Sequence, residues 1–304
     1  MHTCILLSTC DRYIPLARMT VDLLDRRWKD HPPIFLCGAS TAFISQVEVL
    51  PLRESPDDWI GITASAANTL LKKGYRKCYL ILEDHPPLAI CNERDLNETL
   101  PNLMDKLGAA YIGLYGWDQG TLSEGKVLSS AYHYLQQQSD TFQWKFSLHP
   151  ALWNLEALYD VTEALPLLEN SKITRSAWAF ERRSGSLSKT ESLLRWQGGS
   201  YRVFGAGMLA GKYRIIRALI RGLYFYSLNA LLWIVRKVLG FSVQDRISDA
   251  MLPEKLFFDG PYPLYWSGVL QKGALNRNFE KFLLKGKRMD ELEEIRRIIN
   301  SFDS

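Results

Sequence analysis

Lys77-Cys78-Tyr79-Leu80-Ile81-Leu82-Glu83-Asp84 is the stretch on which the fold turns. Within it Leu80-Ile81-Leu82 is wholly apolar and runs straight into Glu83-Asp84-His85-Pro86-Pro87, a polar turn. A short apolar run bounded by turn signals reads as a strand buried on both faces, the kind found in parallel sheets. Upstream, Asp57-Asp58 stand where carboxylates help a helix to start, and Trp59 to Lys73 reads as helical until Gly74 closes it. Further back, residues 4–8 form a buried strand, Ser8 to Arg12 a polar turn, and Ile14 to Trp28 a helix with Leu16, Met19, Leu23 and Leu24 near helical spacing. Between these lie two more strands, Ile34 to Gly38 and Gln46 to Pro51. Downstream, Asn92 to Leu107 reads as a helix and Ala109 to Tyr115 as a strand. Strands alternating with helices predict an α/β fold with a mostly parallel sheet covered by helices on both faces.

Beyond this core the pattern loosens. Val127 to Phe146 is strand-like and aromatic, and Ser147 to Trp153 reads as the end of a strand followed by a helix that begins after Pro150. Leu155 to Leu168 and Thr174 to Arg183 read as helical, Ser184 to Ser188 as a loop and Tyr201 to Phe204 as a late strand. The chain has 304 residues, 47% hydrophobic and 23% charged, which excludes wholesale disorder, collagen and coiled coil. The net charge of +4 is too small to argue for nucleic acid as a partner. It is unevenly spread: Gly205 to Arg246 carries seven bases against Asp245 alone, so this stretch is +6 and the remainder −2. That shift sets a soft boundary between a domain at 1–205 and a mainly helical, basic and apolar C-terminal region at 206–304. The five cysteines, Cys4, Cys10, Cys37, Cys78 and Cys91, are odd in number and show no zinc spacing, as expected of reduced thiols in a cytoplasmic protein. The run Cys4 to Leu7 reads as a strand and not as a signal peptide.

The chemistry-bearing residues fall in three places. Glu83 and Asp84 leave the carboxyl end of the central strand, where open α/β sheets bind ligands, and can meet a sugar, a metal or a cation. The bland alternative is that they decorate a bend. His85 beside them can add a nitrogen ligand or serve only the turn. Ser147-Leu148-His149-Pro150-Ala151-Leu152-Trp153 and Ser176-Ala177-Trp178-Ala179-Phe180-Glu181 carry a histidine and a glutamate among aromatics that suit a core equally well. Dinucleotide redox, P-loop, zinc-protease and α/β-hydrolase readings lose their support, because the sequence has no GxGxxG after the first strand, no Walker A loop, no HExxH and no GxSxG.

Taken in order, Leu6 to Tyr13, Pro33 to Leu36, Leu80 to Asp84, Phe146 to Trp153 and Ser176 to Glu181 resemble motifs of bacterial GT-A-type glycosyltransferases of capsule and lipopolysaccharide assembly. In that family the pieces read approximately SCDKY, PIYL, LLEDY, SLQPALW and SPWEFE. The resemblance spans roughly residues 1–205. It implies a nucleotide-sugar donor with Ser8, Thr9, Asp11 and Arg12 near the nucleotide and Glu83 and Asp84 near its diphosphate or sugar. It also implies a Mn²⁺ or Mg²⁺ cofactor held by Asp84, with His85 a further candidate ligand. The sequence departs from the usual DxD by offering Glu83-Asp84-His85, which leaves metal-independent activity open, with Arg12, Arg182 or Arg183 supplying positive charge to the phosphates. An inverting transfer requires a general base. Glu181 is the first candidate by motif, His149 the second, and Glu83 or Asp84 a further one.

The basic segment suggests where such an enzyme works. Gly222 to Val235 is uncharged but, at 14 residues, too short to span hydrocarbon as a helix. Wound as one helix, the segment from Lys212 to Gly240 gathers Arg214, Arg217, Arg221 and Arg236 on one side, with Tyr224, Tyr226 and Trp233 suited to a membrane interface. A peripheral position on the inner face of the cell membrane follows as an expectation, with a glycan or lipid-linked acceptor. Pro261 to Trp266 reads as a rigid aromatic loop that can flank it. A nucleotidyltransferase and a non-catalytic scaffold of a polysaccharide assembly complex are the rival readings.

Overall fold

A computed structural model describes residues 3–40, 47–51, 53–115, 126–127, 133–138, 145–165, 175–183, 199–205, 233–234, 237–238 and 256–303. The predicted strands β1 (Thr3–Ser8), β2 (Ile34–Cys37), β3 (Glu48–Val49) and β4 (Lys77–Leu82) pair in parallel in the order β3-β2-β1-β4. The sheet continues through β8 (Ala151–Asn154), β5 (Ala109–Gly113), β9 (Gly199–Gly205), β7 (His133–Gln137) and β6 (Lys126–Val127). Among the described strands of this sheet only β8 and β7 oppose the other seven, so it is mostly parallel, as expected.

One expectation fails here. Ala151-Leu152-Trp153 is not the start of a helix but a strand, inserted antiparallel between β4 and β5 with Leu80 opposite Ala151 and Cys78 opposite Trp153. The helix that follows, α4 (Leu155–Ala164), starts later because the Asn154 side chain caps it by accepting from the N–H groups of Glu156 and Ala157. The consequence reaches the site: an antiparallel strand begins at the edge where its parallel neighbours end, so the residues before β8 sit beside those after β4.

The two-residue alternation of side chains sorts the sheet into two cores. On one face Ile5, Leu7, Tyr79, Ile81, Ile112 and Leu152 meet α1 (Ile14–Arg27) and α3 (Leu100–Leu107). On the other, Cys4, Leu6, Cys78, Leu80 and Trp153 meet α2 (Trp59–Lys72), α4 and α5 (Ala177–Arg183). Helix α1 is apolar on two sides. Ile14, Ala17, Val21 and Leu24 face the sheet, and Leu16, Met19 and Leu23 turn outward into a third cluster with Leu88, Tyr265, Phe279, Leu283, Leu292 and Ile295. That outer cover comes from residues 256–303, which form two short antiparallel pairs, β10 (Phe257–Phe258) with β11 (Leu264–Tyr265) and β12 (Leu270–Gln271) with β13 (Ala274–Leu275), followed by α6 (Arg277–Lys285) and α7 (Met289–Asn300). Each large side chain fully buried there contributes about 1.5–3 kcal/mol, and the cover carries the loop around Trp266 to the carboxyl edge of the sheet.

All five cysteines are free thiols, four of them buried. Among the described residues no helix is long and apolar enough to cross a membrane. Arg214, Arg217, Arg221, Tyr224 and Arg236 lie outside the described residues. Trp233 lies within them, 61% exposed, with exposed Ile234 and Val238 nearby and the Lys237 ammonium 5.9 Å from its ring centre.

Candidate functional site

Strands β1 and β4 are adjacent and parallel with Ser8 opposite Leu82, so the segments after them emerge side by side, and the Glu83 N–H donates to the Ser8 carbonyl at 3.2 Å. The β1 segment is tightly set. Ser8 is buried and accepts from Trp59 Nε1 at 3.0 Å, and the Thr9 N–H donates to the Cys37 carbonyl at 3.0 Å. Asp11, exposed, accepts from the Ser40 N–H at 2.8 Å and the Ser40 hydroxyl at 2.6 Å, which ties the turn to the end of β2. Arg12 is exposed, its guanidinium 5.9 Å from the centre of the Tyr13 ring. The four candidate donor-binding residues and the Glu83-Asp84 pair thus share one edge.

Asp84 and His85 are fixed from the C-terminal cover. Asp84 Oδ1 lies 2.7 Å from His85 Nδ1, the Asp84 carbonyl accepts from the Val269 N–H at 2.8 Å, and the His85 carbonyl accepts from the Tyr262 hydroxyl at 2.9 Å. Gly268 has φ +70°, and a Cβ there would fall 2.6 Å from Asp84 Oδ2, so the loop passes this carboxylate as bare backbone. Asn276, buried, braces the same loop by donating to the Ser267 and Gly268 carbonyls.

Because β8 is antiparallel, Ser147 and His149 arrive at this edge as well. His149 Nε2 lies 2.8 Å from the Trp266 carbonyl, and its ring stacks on Trp266 at 5.7 Å and on Tyr115 at 5.6 Å. The His85 ring meets it edge-on at 5.4 Å. The Ser147 hydroxyl stands between His149 Nδ1, at 2.5 Å, and Glu181 Oε1, at 2.9 Å, and the Leu148 N–H also donates to Glu181 Oε1 at 3.2 Å. The two candidate bases are therefore joined through Ser147, whose place in the sequence carries no mark of this role. Tyr115, Trp266 and the buried Arg202 of β9 complete the surroundings, and of these Tyr115 and Arg202 carry no expected role. Trp266 lay in a loop already picked out, while Arg202 sits in a strand with no local mark of function.

The electrostatics divide the site. Burial, aided by Asp84, pushes the Glu83 carboxyl up from 4.5 to about 8. Burial pulls His85 down, but Asp84 and the Trp266 carbonyl more than offset it, and its imidazole ends above its ordinary value. His149 goes the other way, to about 3, through burial, His85 and Arg202. Near neutral pH His149 is therefore a neutral ring.

Since the folded value of Glu83 lies above its unfolded one, the native state holds a proton that the unfolded chain has lost between about pH 4.5 and 8. This contribution to stability is present at low pH and disappears as pH rises through about 8. Glu83→Gln is expected to flatten the loss in thermal unfolding curves from pH 5 to 9. Curves for the variant and the parent that fall in parallel would contradict it.

No group of three or more His, Cys, Asp or Glu residues among the described residues forms a metal cluster. A hard cation bound beside a diphosphate takes only one or two carboxylates from the protein, and Glu83 and Asp84 fit that requirement. The charge of a cation would also relieve the burial cost of ionising Glu83. His85 fits poorly, because its nitrogens already face Asp84 and, at 3.4 Å, the Trp266 carbonyl.

No protein-family model matches the chain and no curated protein matches its sequence. Solved structures that resemble it include an active-site mutant of LgtC, at TM-score 0.38 and 10% identity over 65% of this chain and 71% of that one. The galactosyltransferase LgtC in complex with donor and acceptor sugar analogues gives TM-score 0.33 and 12% identity over 65% and 72%. Mannose-1-phosphate geranyltransferase from Thermus thermophilus gives 0.30 and 14% over 67% and 74%. Likeness at these scores carries no argument about function, which rests on the site itself.

Proposed function

We propose that this protein is a glycosyltransferase that moves a sugar from a nucleotide-sugar donor to a hydroxyl of a glycan acceptor. The observation that carries the reading is the convergence at one sheet edge of three groups: the Ser8 to Arg12 turn, the Glu83-Asp84 pair and the Glu181–Ser147–His149 chain. In this reading Ser8, Thr9, Asp11 and Arg12 hold the nucleotide, and Asp84 with Glu83 faces the diphosphate or the sugar. A Mn²⁺ or Mg²⁺ ion held by these carboxylates would neutralise the leaving diphosphate. Glu181 takes the acceptor proton, and His149 holds its partner serine.

The acceptor side lies toward Trp266, a 37% exposed aromatic stacked over His149, whose face suits a sugar ring. A lipid-linked acceptor at the inner membrane surface is consistent with exposed Trp233, Ile234 and Val238 inside a basic stretch of sequence. That would place the protein in the cytoplasm, peripheral to the membrane, with 206–304 as the acceptor and membrane region.

The donor class is tested by calorimetric titration with UDP-, GDP-, CMP- and dTDP-sugars, with and without Mn²⁺. One nucleotide class should bind with a Kd of about 1 μM to 1 mM, the usual range for enzyme substrates, and Asp84→Asn should weaken it at least about tenfold. No binding by any member of the panel would remove the reading.

A further inference from the structure

We propose that Ser147 is a positioning residue for Glu181: its single hydroxyl proton turns toward Glu181 while that residue is a carboxylate, and toward His149 Nδ1 once Glu181 has taken a proton. The inference rests on the glycosyl-transfer reading and follows from counting hydrogens. The Trp266 carbonyl brings no hydrogen to its 2.8 Å contact with His149, so His149 Nε2 carries one. In a neutral ring Nδ1 is then bare and can only accept. Ser147 Oγ already receives the His149 N–H at 3.3 Å and has one hydrogen to give, yet it faces two acceptors, Nδ1 at 2.5 Å and Glu181 Oε1 at 2.9 Å. Both contacts cannot be satisfied by that hydrogen together.

The protonation state of Glu181 resolves the competition. As a carboxylate, Glu181 is the stronger acceptor and draws the hydroxyl, which with the Leu148 N–H gives Oε1 two donors. When the acceptor oxygen bonds to the anomeric carbon, the bond from that carbon to the diphosphate oxygen breaks and its electron pair leaves with the diphosphate. The acceptor's hydroxyl proton passes to Glu181 Oε2, which makes no described hydrogen bond. Glu181 is then neutral and a weaker acceptor, and the hydroxyl swings to Nδ1. In the first state Nδ1 goes without a donor, and in the second Oε1 keeps the Leu148 N–H, so the single hydrogen serves the stronger acceptor each time.

The other charges near this ring act in the same sense. His85, with Asp84 behind it, meets the ring edge-on, and Arg202 of β9 adds positive potential, while Tyr115 and Trp266 bring no charge. Together they keep His149 neutral and its Nδ1 available as the second resting place.

The test does not require the donor. ¹⁵N NMR of the His149 ring and ¹³C NMR of the Glu181 carboxyl are followed through the titration of Glu181 in the unliganded full chain. The His149 Nδ1 resonance is expected to move with the same midpoint as the Glu181 carboxyl while Nε2 stays protonated, and Ser147→Ala should abolish that co-movement. A flat Nδ1 signal in the parent protein, or two unrelated midpoints, overturns the proposal whether or not any variant folds. In turnover, Ser147→Ala should lower kcat about 10–100-fold, the size of one hydrogen bond to a charged group, with KM little changed. A KM effect alone would also overturn it. Failure of the donor panel combined with NMR co-movement would fault the glycosyl-transfer reading and not the serine.

Discussion

Glu181→Gln is expected to lower turnover by about 10²–10⁴-fold, the usual range for removing a general base, while leaving the thermal midpoint close to that of the parent. The second half follows from the contacts. A glutamine keeps a carbonyl oxygen where Oε1 accepts from Ser147 and Leu148, and the aromatic packing of Phe180 beneath α5 is untouched. What is lost is the capacity of the second oxygen to take a proton. Steady-state turnover with the donor found in the titration, alongside calorimetric unfolding, measures both halves. If Glu181→Gln keeps full activity and Asp84→Asn does not, the base belongs to the strand end after β4. If both keep glycan production intact, the protein is the non-catalytic scaffold considered at the outset.

The second large effect is expected at Gly38. Its φ of +92° lies in the left-handed region, and a Cβ there would stand 2.1 Å from the Thr9 carbonyl oxygen, a backbone atom that cannot swing aside. The Thr9 N–H is already bonded to the Cys37 carbonyl at 3.0 Å, so relief would require moving the whole turn after β1. Gly38→Val should therefore cost about 2–5 kcal/mol in urea unfolding, from left-handed strain and overpacking together. It should also weaken the donor at least about tenfold, because the Ser8 to Arg12 turn carries the proposed nucleotide contacts. Gly74 is the control: it too has φ +92°, but nothing lies within 4 Å of its missing Cβ. Gly74→Ala should cost only the strain, about 1–2 kcal/mol, and spare donor binding. Equal losses at the two glycines would show that overlap at Thr9 is unimportant.

Much of the frame is local chemistry and could be read from the chain. The strands β1, β2 and β4 are apolar runs ended by polar turns, α2 is capped by Asp58, which accepts from the Gly61 N–H at 2.8 Å, and α1 shows helical spacing. The spacing of α1 held a further clue, since Leu16, Met19 and Leu23 lie off the stripe facing the sheet and call for a second covering layer. Strand β8 departs from the helix its sequence suggests because Ala151-Leu152-Trp153 follows a proline and leads into the apolar start of α4. A run of that length has no period of its own to tell strand from helix. Asn154, a strong cap residue, was the available signal.

The site was legible in parts but not as an assembly. Glu83 and Asp84 are marked by their place after a strand. That His149 meets His85, and that Glu181 reaches Ser147 across 34 residues, depend on β8 running against its neighbours. Trp266 arrives from 181 residues beyond His85, carried by the cover over α1. Pairings over such distances leave no trace in local sequence.

The central claim is that the edge beyond Ser8 and Leu82 receives the activated sugar. Its most direct measurement is a crystal structure of the full chain with the nucleotide-sugar selected by titration. The account predicts difference density for the nucleotide against the Ser8 to Arg12 turn and for the diphosphate beside Glu83 and Asp84, with the anomeric carbon on the side of Glu181. Density for a bound donor at any other face of the sheet would contradict it.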